Sequence, residues 1–152
     1  MNLFGMLELS GSALGAERQR AEVVASNMAN VQTTRTAAGG PYRRQLVVFQ
    51  AQRLPRFSLA LGGTLGGALG GFHRGVASAV RIAAVVSDQR PPVMRFEPGH
   101  PDANAEGYVA YPQVDPIEEM TDLLGAVRAY QLNASAVQAT KNMITQSLDL
   151  LR

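Results

Sequence analysis

The side chains best able to do chemistry in this sequence are two histidines, a cluster of carboxylates and a run of paired glycines. His73 follows the glycines, and His100 sits in Pro98-Gly99-His100-Pro101-Asp102. A histidine near an aspartate could begin a general-base pair, and two histidines could begin a metal site. Neither pattern is completed. No cysteine occurs, no His-x-x-x-His spacing exists, and no Gly-x-Ser-x-Gly elbow offers a nucleophile. His100-Pro101-Asp102 therefore reads as a turn. Glu118, Glu119 and Asp122 could share protons at one site, but a helix start explains them without chemistry. Asp115 is a good N-cap, Pro116 suits the first helical position, and Glu118 completes a capping-box pattern. Glu119 and Asp122 then add negative charge where the helix dipole favours it. Between Leu61 and Gly71 the glycine pairs recur every four residues. They lack the Gly-Lys-Ser/Thr ending of a phosphate loop and the Gly-x-Gly-x-x-Gly of a dinucleotide site, and read as a surface loop. No catalytic, cofactor-binding or metal-ligating residue is assigned.

Composition points the same way. The 152 residues make one ordinary domain, 46% apolar and 17% charged, with a formal net charge of +2. The basic residues are scattered, Arg43-Arg44 being the densest group, so no stripe suited to nucleic acid is present. Met1 to Ser10 is apolar but has no basic leader and is broken by Glu8, so a cleavable signal peptide is not expected. The uncharged stretch from Phe57 to Phe72 is too short and glycine-rich to span a bilayer.

The elements that position these residues fall into three parts. From Leu7 a stripe spaced alternately three and four runs through Ser10, Leu14, Glu17, Ala21, Val24, Met28 and Val31. Met120, Leu123, Val127, Tyr130, Ala134, Val137, Lys141, Ile144, Leu148 and Leu151 repeat the pattern at the other end. Narrow stripes of this kind predict helices that pack along other helices. Neither helix is strong by itself, since Gly5, Gly11 and Gly15 each cost roughly 1 kcal/mol relative to alanine and the second helix carries poor formers such as Gly125, Asn133 and Thr140. These ends are expected to fray in the monomer and to order on assembly. Antiparallel pairing that aligns the stripes would set Glu17 opposite Lys141, a polar pair able to fix register. Between the helices, Tyr42–Gln50, Val76–Val86, Val93–Phe96 and Tyr108–Tyr111 read as short strands punctuated by proline and glycine. Sheet order is not legible. The expected fold class is α+β: a helix over 1–31, a small β-rich subdomain over 32–114 with the glycine-rich loop at 61–71, and a helix over 115–152. The two helices are antiparallel and coiled-coil-like.

Ser12-Ala-Leu-Gly-Ala-Glu-Arg-Gln-Arg20, followed by Ala25-Ser-Asn-Met-Ala-Asn30 and Thr33-Thr34, resembles the N-terminal signature of the flagellar rod, hook and filament-axis proteins. Gly40-Pro-Tyr-Arg-Arg-Gln-Leu-Val-Val-Phe49 is similar to that family's strand after the first helix. Glu97-Pro-Gly-His-Pro101 through Asp115-Pro116, with Glu119-Met120, Arg128, Tyr130 and Asn133, narrows the resemblance to its proximal-rod members. The distal-rod and hook members carry a larger middle domain, and the glycine-rich stretch at 62–71 departs from the pattern.

The resemblance implies a structural subunit with no enzymatic activity, no cofactor, no nucleic-acid partner and no small-molecule substrate. It implies export by the flagellar type III apparatus without a cleaved signal. In the periplasmic rod of the basal body, copies of the chain and sister rod proteins would then assemble helically and transmit motor torque. Residues expected at assembly interfaces are Leu7, Leu14, Val24, Ser26, Asn27, Met28 and Asn30 on the first helix. On the second they are Met120, Leu123, Val127, Tyr130, Asn133, Val137, Ile144 and Leu148. Tyr42 and Arg43 mark the strand motif, and Asp115, Pro116 and Glu118 the turn and cap. Two other classes fit the residues less well: a coiled-coil adaptor that does not polymerise, and a small hydrolase.

Overall fold

A computed structural model describes residues 3–53 and 78–150 of the chain; the glycine-rich stretch at 61–71, His73 and Leu151 lie outside the described residues. Among the described residues, two helices flank four strands. α1 spans Leu3–Ala29, β1 Gln45–Arg53, β2 Ser78–Ser87, β3 Val93–Phe96, β4 Tyr108–Tyr111 and α2 Pro116–Asp149. The strands pair antiparallel as two separate ribbons, β1 with β2 and β3 with β4, and do not form one sheet. The α+β class agrees with the sequence reading, as do β3 and β4; β1 starts at Gln45, three residues after Tyr42, and residues 76–77 of the expected second strand lie outside the described residues.

Local chemistry sets the helix ends. α1 stops at the asparagines: the Asn30 side chain donates to the Ser26 carbonyl at 2.9 Å, and Thr33 Oγ1 donates to Asn30 Oδ1 at 3.1 Å. The Ser26 carbonyl takes the Asn30 amide as well, at 3.1 Å, and the Met28 carbonyl, which the end of the helix would leave open, accepts the Val31 amide at 3.4 Å. α2 begins at the N-cap Asp115, whose Oδ1 accepts the Ile117 amide at 2.9 Å, with Pro116 next in line. The capping box itself is not closed. Glu118 does not reach back to the cap amide but turns toward Arg44, 3.3 Å from Nη1.

The β1–β2 ribbon lies on α1. It runs from Gln45↔Ser87 to Arg53↔Ser78, with a bulge at Val48/Phe49. Ala79 is buried, and the Val80 amide donates to Ser12 Oγ of α1 at 3.1 Å. The β3–β4 ribbon is closed by the turn at 97–107. There the His100 ring accepts the Asp102 amide at 3.1 Å, as a turn-shaping role requires. Asp102 in turn accepts from Thr34 Oγ1 at 2.8 Å, tying the ribbon to the chain that leaves α1. Gly107 has φ +81, and a Cβ there would lie 2.9 Å from the Phe96 ring, so only glycine fits.

The helices are antiparallel, but not in the register that aligns their apolar stripes. Arg20 Nη2 meets Asp122 Oδ1 at 3.3 Å, where that register would place Arg20 opposite Gln138. Asn27 meets Glu119 at 3.0 Å. The helices are thus slid by about two heptads, and the Glu17–Lys141 pair does not form. Lys141 is exposed, and Glu17 instead lies 3.7 Å from Arg20. The 34 residues of α2 make a rod about 51 Å long, against about 40 Å for the 27 residues of α1. In the observed register the last turns of α2 run past the start of α1, and Leu148 is exposed there.

The buried apolar residues are mostly small. Among the described residues they are Ala16, Val24, Ala79, Val109, Pro112 and Ala126. Val24 and Val109 each contribute ~1.5–3 kcal/mol on burial, and the alanines less. Much of the fold is held by polar bonds instead.

Candidate functional site

The helices meet through an unusual row. On α2 the inward residues are Glu119, Ala126, Asn133 and Thr140, seven residues apart, with Asp122, Ala129 and Ala136 beside them. The apolar heptad read from the sequence lies one residue further round the helix, about 100° away. Met120 is 54% exposed, and Val127, Tyr130 and Leu148 are exposed with it. Leu123, Val137 and Ile144 sit at the border, half-buried; Asn133 of the inner row is half-buried too, its amide donating to its own helix at the Ala129 carbonyl, 2.9 Å away. Ile117 and Leu124 extend the exposed face, Ile117 at 76%. On α1 the outcome differs. Val24 is buried, while Leu7, Leu14 and Met28 are half-buried.

Where the end of α1, the start of β1 and the start of α2 converge, the chain buries a polar cluster. Glu119 is 0% exposed and Asn27 1%. Asn27 Nδ2 donates to Glu119 Oε2 at 3.0 Å and to the Gln45 carbonyl at 2.9 Å. Its Oδ1 accepts from the Gln45 amide and from Tyr42 Oη, each at 2.9 Å. Asn27 thus mimics a strand residue, pairing with both backbone groups of Gln45 and fixing where β1 begins. Ser26 Oγ lies 3.5 Å from the same Tyr42 hydroxyl.

Arg44 completes the cluster. Its Nε donates to Glu119 Oε1, its Nη1 lies 3.3 Å from Glu118 Oε1, and its Nη2 lies 3.7 Å from Asp122 Oδ2. Burial works against a charged guanidinium, but the hydrogen bond and the attraction of Glu119, with Glu118 behind it, outweigh that cost. They hold the arginine's pKa above its ordinary value. A buried carboxylate is tolerated here because each oxygen has a donor. The cleft over the cluster measures about 240 Å³, short of the ~300–1,000 Å³ usual for ligand sites. Among the described residues no group of three His, Asp or Glu is disposed to hold a metal ion.

The two helices that meet in this cluster are also the parts matched by known families. Residues 7–35 match the family described as flagella basal body rod protein, and residues 105–150 match flagellar basal body rod FlgEFG protein C-terminal. Over the full length the chain is 35% identical to the flagellar basal-body rod protein FlgC of Borreliella burgdorferi, covering 100% of this chain and 99% of the relative. It is 38% identical to that of Bacillus subtilis, covering 99% of each, and 37% identical to that of Escherichia coli, covering 99% and 98%. The chain belongs to the FlgC family of flagellar basal-body rod proteins. Asn27 and Glu119, joined at 3.0 Å, come one from each matched segment.

Of the residues singled out by sequence, the structure brings Ser26, Asn27, Asn30, Tyr42 and Glu118 to this corner of the FlgC-family fold. Arg43 is exposed and donates to Gln89 at 3.0 Å, away from the cluster. Glu119 and Arg44 are the two central residues that sequence reasoning missed. Glu119 passed as a helix-dipole charge and Arg44 as part of a scattered basic pair. The signal was there: Asn27 lies beside Met28 of the first stripe, as Glu119 lies beside Met120 of the second.

Proposed function

We propose that this FlgC-family member, a structural protein of the flagellar basal body, polymerises helically through its terminal helices. Its neighbours are other copies of itself and sister rod proteins, and the polymer carries motor torque. Export through the flagellar type III apparatus would deliver it to the periplasmic rod. The observation that carries this reading is the outward row on α2. A chain whose own core is mostly alanine and valine leaves Ile117, Met120, Leu124, Val127 and Tyr130 on one continuous helical flank. A row of large apolar side chains, each able to contribute ~1.5–3 kcal/mol when covered, marks an interaction surface. Contacts between different faces of identical subunits build a helix wherever their rotation does not close into a ring.

The test is incorporation. The chain carrying Met120→Glu and Val127→Glu is expressed beside the unaltered chain, and basal bodies are purified and analysed by mass spectrometry. The unaltered chain is expected in the basal bodies and the variant in the soluble fraction. Equal incorporation of both would remove the helix flank from the assembly, and absence of both would remove the chain from the rod.

A further inference from the structure

The inner and outer rows of α2 stand in the reverse of the order that burial alone would choose. Met120 and Val127 would gain more from burial than Glu119 and Thr140, which occupy the inside. A turn of α2 by one residue, about 100°, would carry the apolar row onto α1. What opposes that turn is the buried grip on Glu119, with the more exposed Arg20–Asp122 pair beside it. Arg44 and Asn27 hold the two oxygens of Glu119, and Asn27 is itself held by both backbone groups of Gln45 and by Tyr42. These partners belong to α1 and to the approach to β1, so the bonds fix α2 against the rest of the molecule. Holding Glu119 inward sends its neighbour Met120 outward.

We infer that Glu119, gripped by Arg44 and Asn27, is a positioning residue that sets the rotation of α2 and keeps the row of Met120, Val127 and Tyr130 on the subunit surface. A satisfied buried polar pair often fixes orientation rather than adding stability, because apolar residues of similar volume can replace it at little cost. What the exposed row is for rests on the assembly reading above. The rotation is a property of the isolated chain.

The natural sequence has no cysteine, so single-cysteine probes report one position each. Val127→Cys samples the outer row, and Thr140→Cys samples the inner row six turns from Glu119. In the otherwise unaltered chain, maleimide labels the first at least ~100-fold faster than the second, as protection by burial requires. Glu119→Leu combined with Arg44→Met frees the rotation, and each rate is expected to move at least ~10-fold toward or past the other. Glu118→Gln, which leaves both bonds to Glu119 in place, leaves both rates where they were.

A folded double variant, judged by circular dichroism, with both rates unchanged overturns the inference. Should that variant not fold, the transposition Glu119→Met with Met120→Glu decides. The moved carboxylate is expected to draw α2 round toward Arg44 and to exchange the two reactivities, and unchanged reactivities overturn the inference. Basal-body incorporation is scored separately: a rotated chain that still assembles rejects the row as assembly surface while leaving the role of Glu119 intact.

Discussion

Glu119 shows how much one side chain holds in this molecule. Truncating it leaves the Arg44 guanidinium buried without its main partner, and removing one member of a buried pair costs about 3–5 kcal/mol. Urea denaturation of Glu119→Ala is expected to show a loss of that size, and a loss under ~1 kcal/mol would refute the accounting. Gly107 is a second such point. Gly107→Ala puts a methyl group against Phe96 at a φ that alanine resists, and is expected to destabilise the β3–β4 ribbon by about 1–3 kcal/mol. A surface glycine such as Gly39 meets nothing comparable, though its positive φ still resists a side chain. Tyr111 gives a pH signature. Its hydroxyl donates to Glu97 at 2.8 Å, and that bond to a carboxylate raises the phenol's pKa. The native state therefore favours the neutral phenol. The contribution is complete below the ordinary phenol range near ~10 and is lost as the pH rises beyond it. Ultraviolet titration should show a late-ionising component that Tyr111→Phe and Glu97→Gln both remove.

Among the elements, the strands and caps were legible because their signals are local: β-branched runs between prolines, and Asp115-Pro116 before a helix. The helix faces were legible only in period. Ranking positions by apolarity selects Met120, Val127 and Tyr130 as the seam. The seam that forms is Glu119, Ala126, Asn133 and Thr140, one residue away. Alanine, asparagine and threonine look like surface to any pattern based on hydrophobicity, yet small residues let helices approach closely. The register failed for a related reason. It is set by Arg20–Asp122 and Asn27–Glu119, pairs far apart in sequence that no spacing rule joins. It follows that substitutions on the outer flank leave the monomer alone. Met120→Glu with Val127→Glu should change its stability by no more than about 0.5 kcal/mol each, as thermal melts would show. A larger loss would place those side chains in the subunit's own core.

For the whole molecule, a small-residue core and one polar cluster predict modest stability concentrated at one end. Hydrogen exchange is expected to be slowest where Asn27, Gln45 and Glu119 meet and faster toward the start of α1 and the end of α2. Uniform protection along both helices would contradict this. The last turns of α2 lie past α1 and add nothing to the helix pair, so deleting residues 145–152 should leave the melting temperature within about 2–4 °C, the equivalent of ~1 kcal/mol for a chain of this size.

Those same turns bear on how a shaft made of such pieces behaves. A piece whose one strut outreaches its companion cannot be stacked end on end like a coin. Stacked as proposed above, it would overlap the storey beyond it, as planks do in a lapped hull. Twist applied at one storey then passes to the next as shear spread along the lap rather than as strain across a flat joint. In such a stack the length of overlap, about two turns of helix, would set how stiffly the shaft answers a twist.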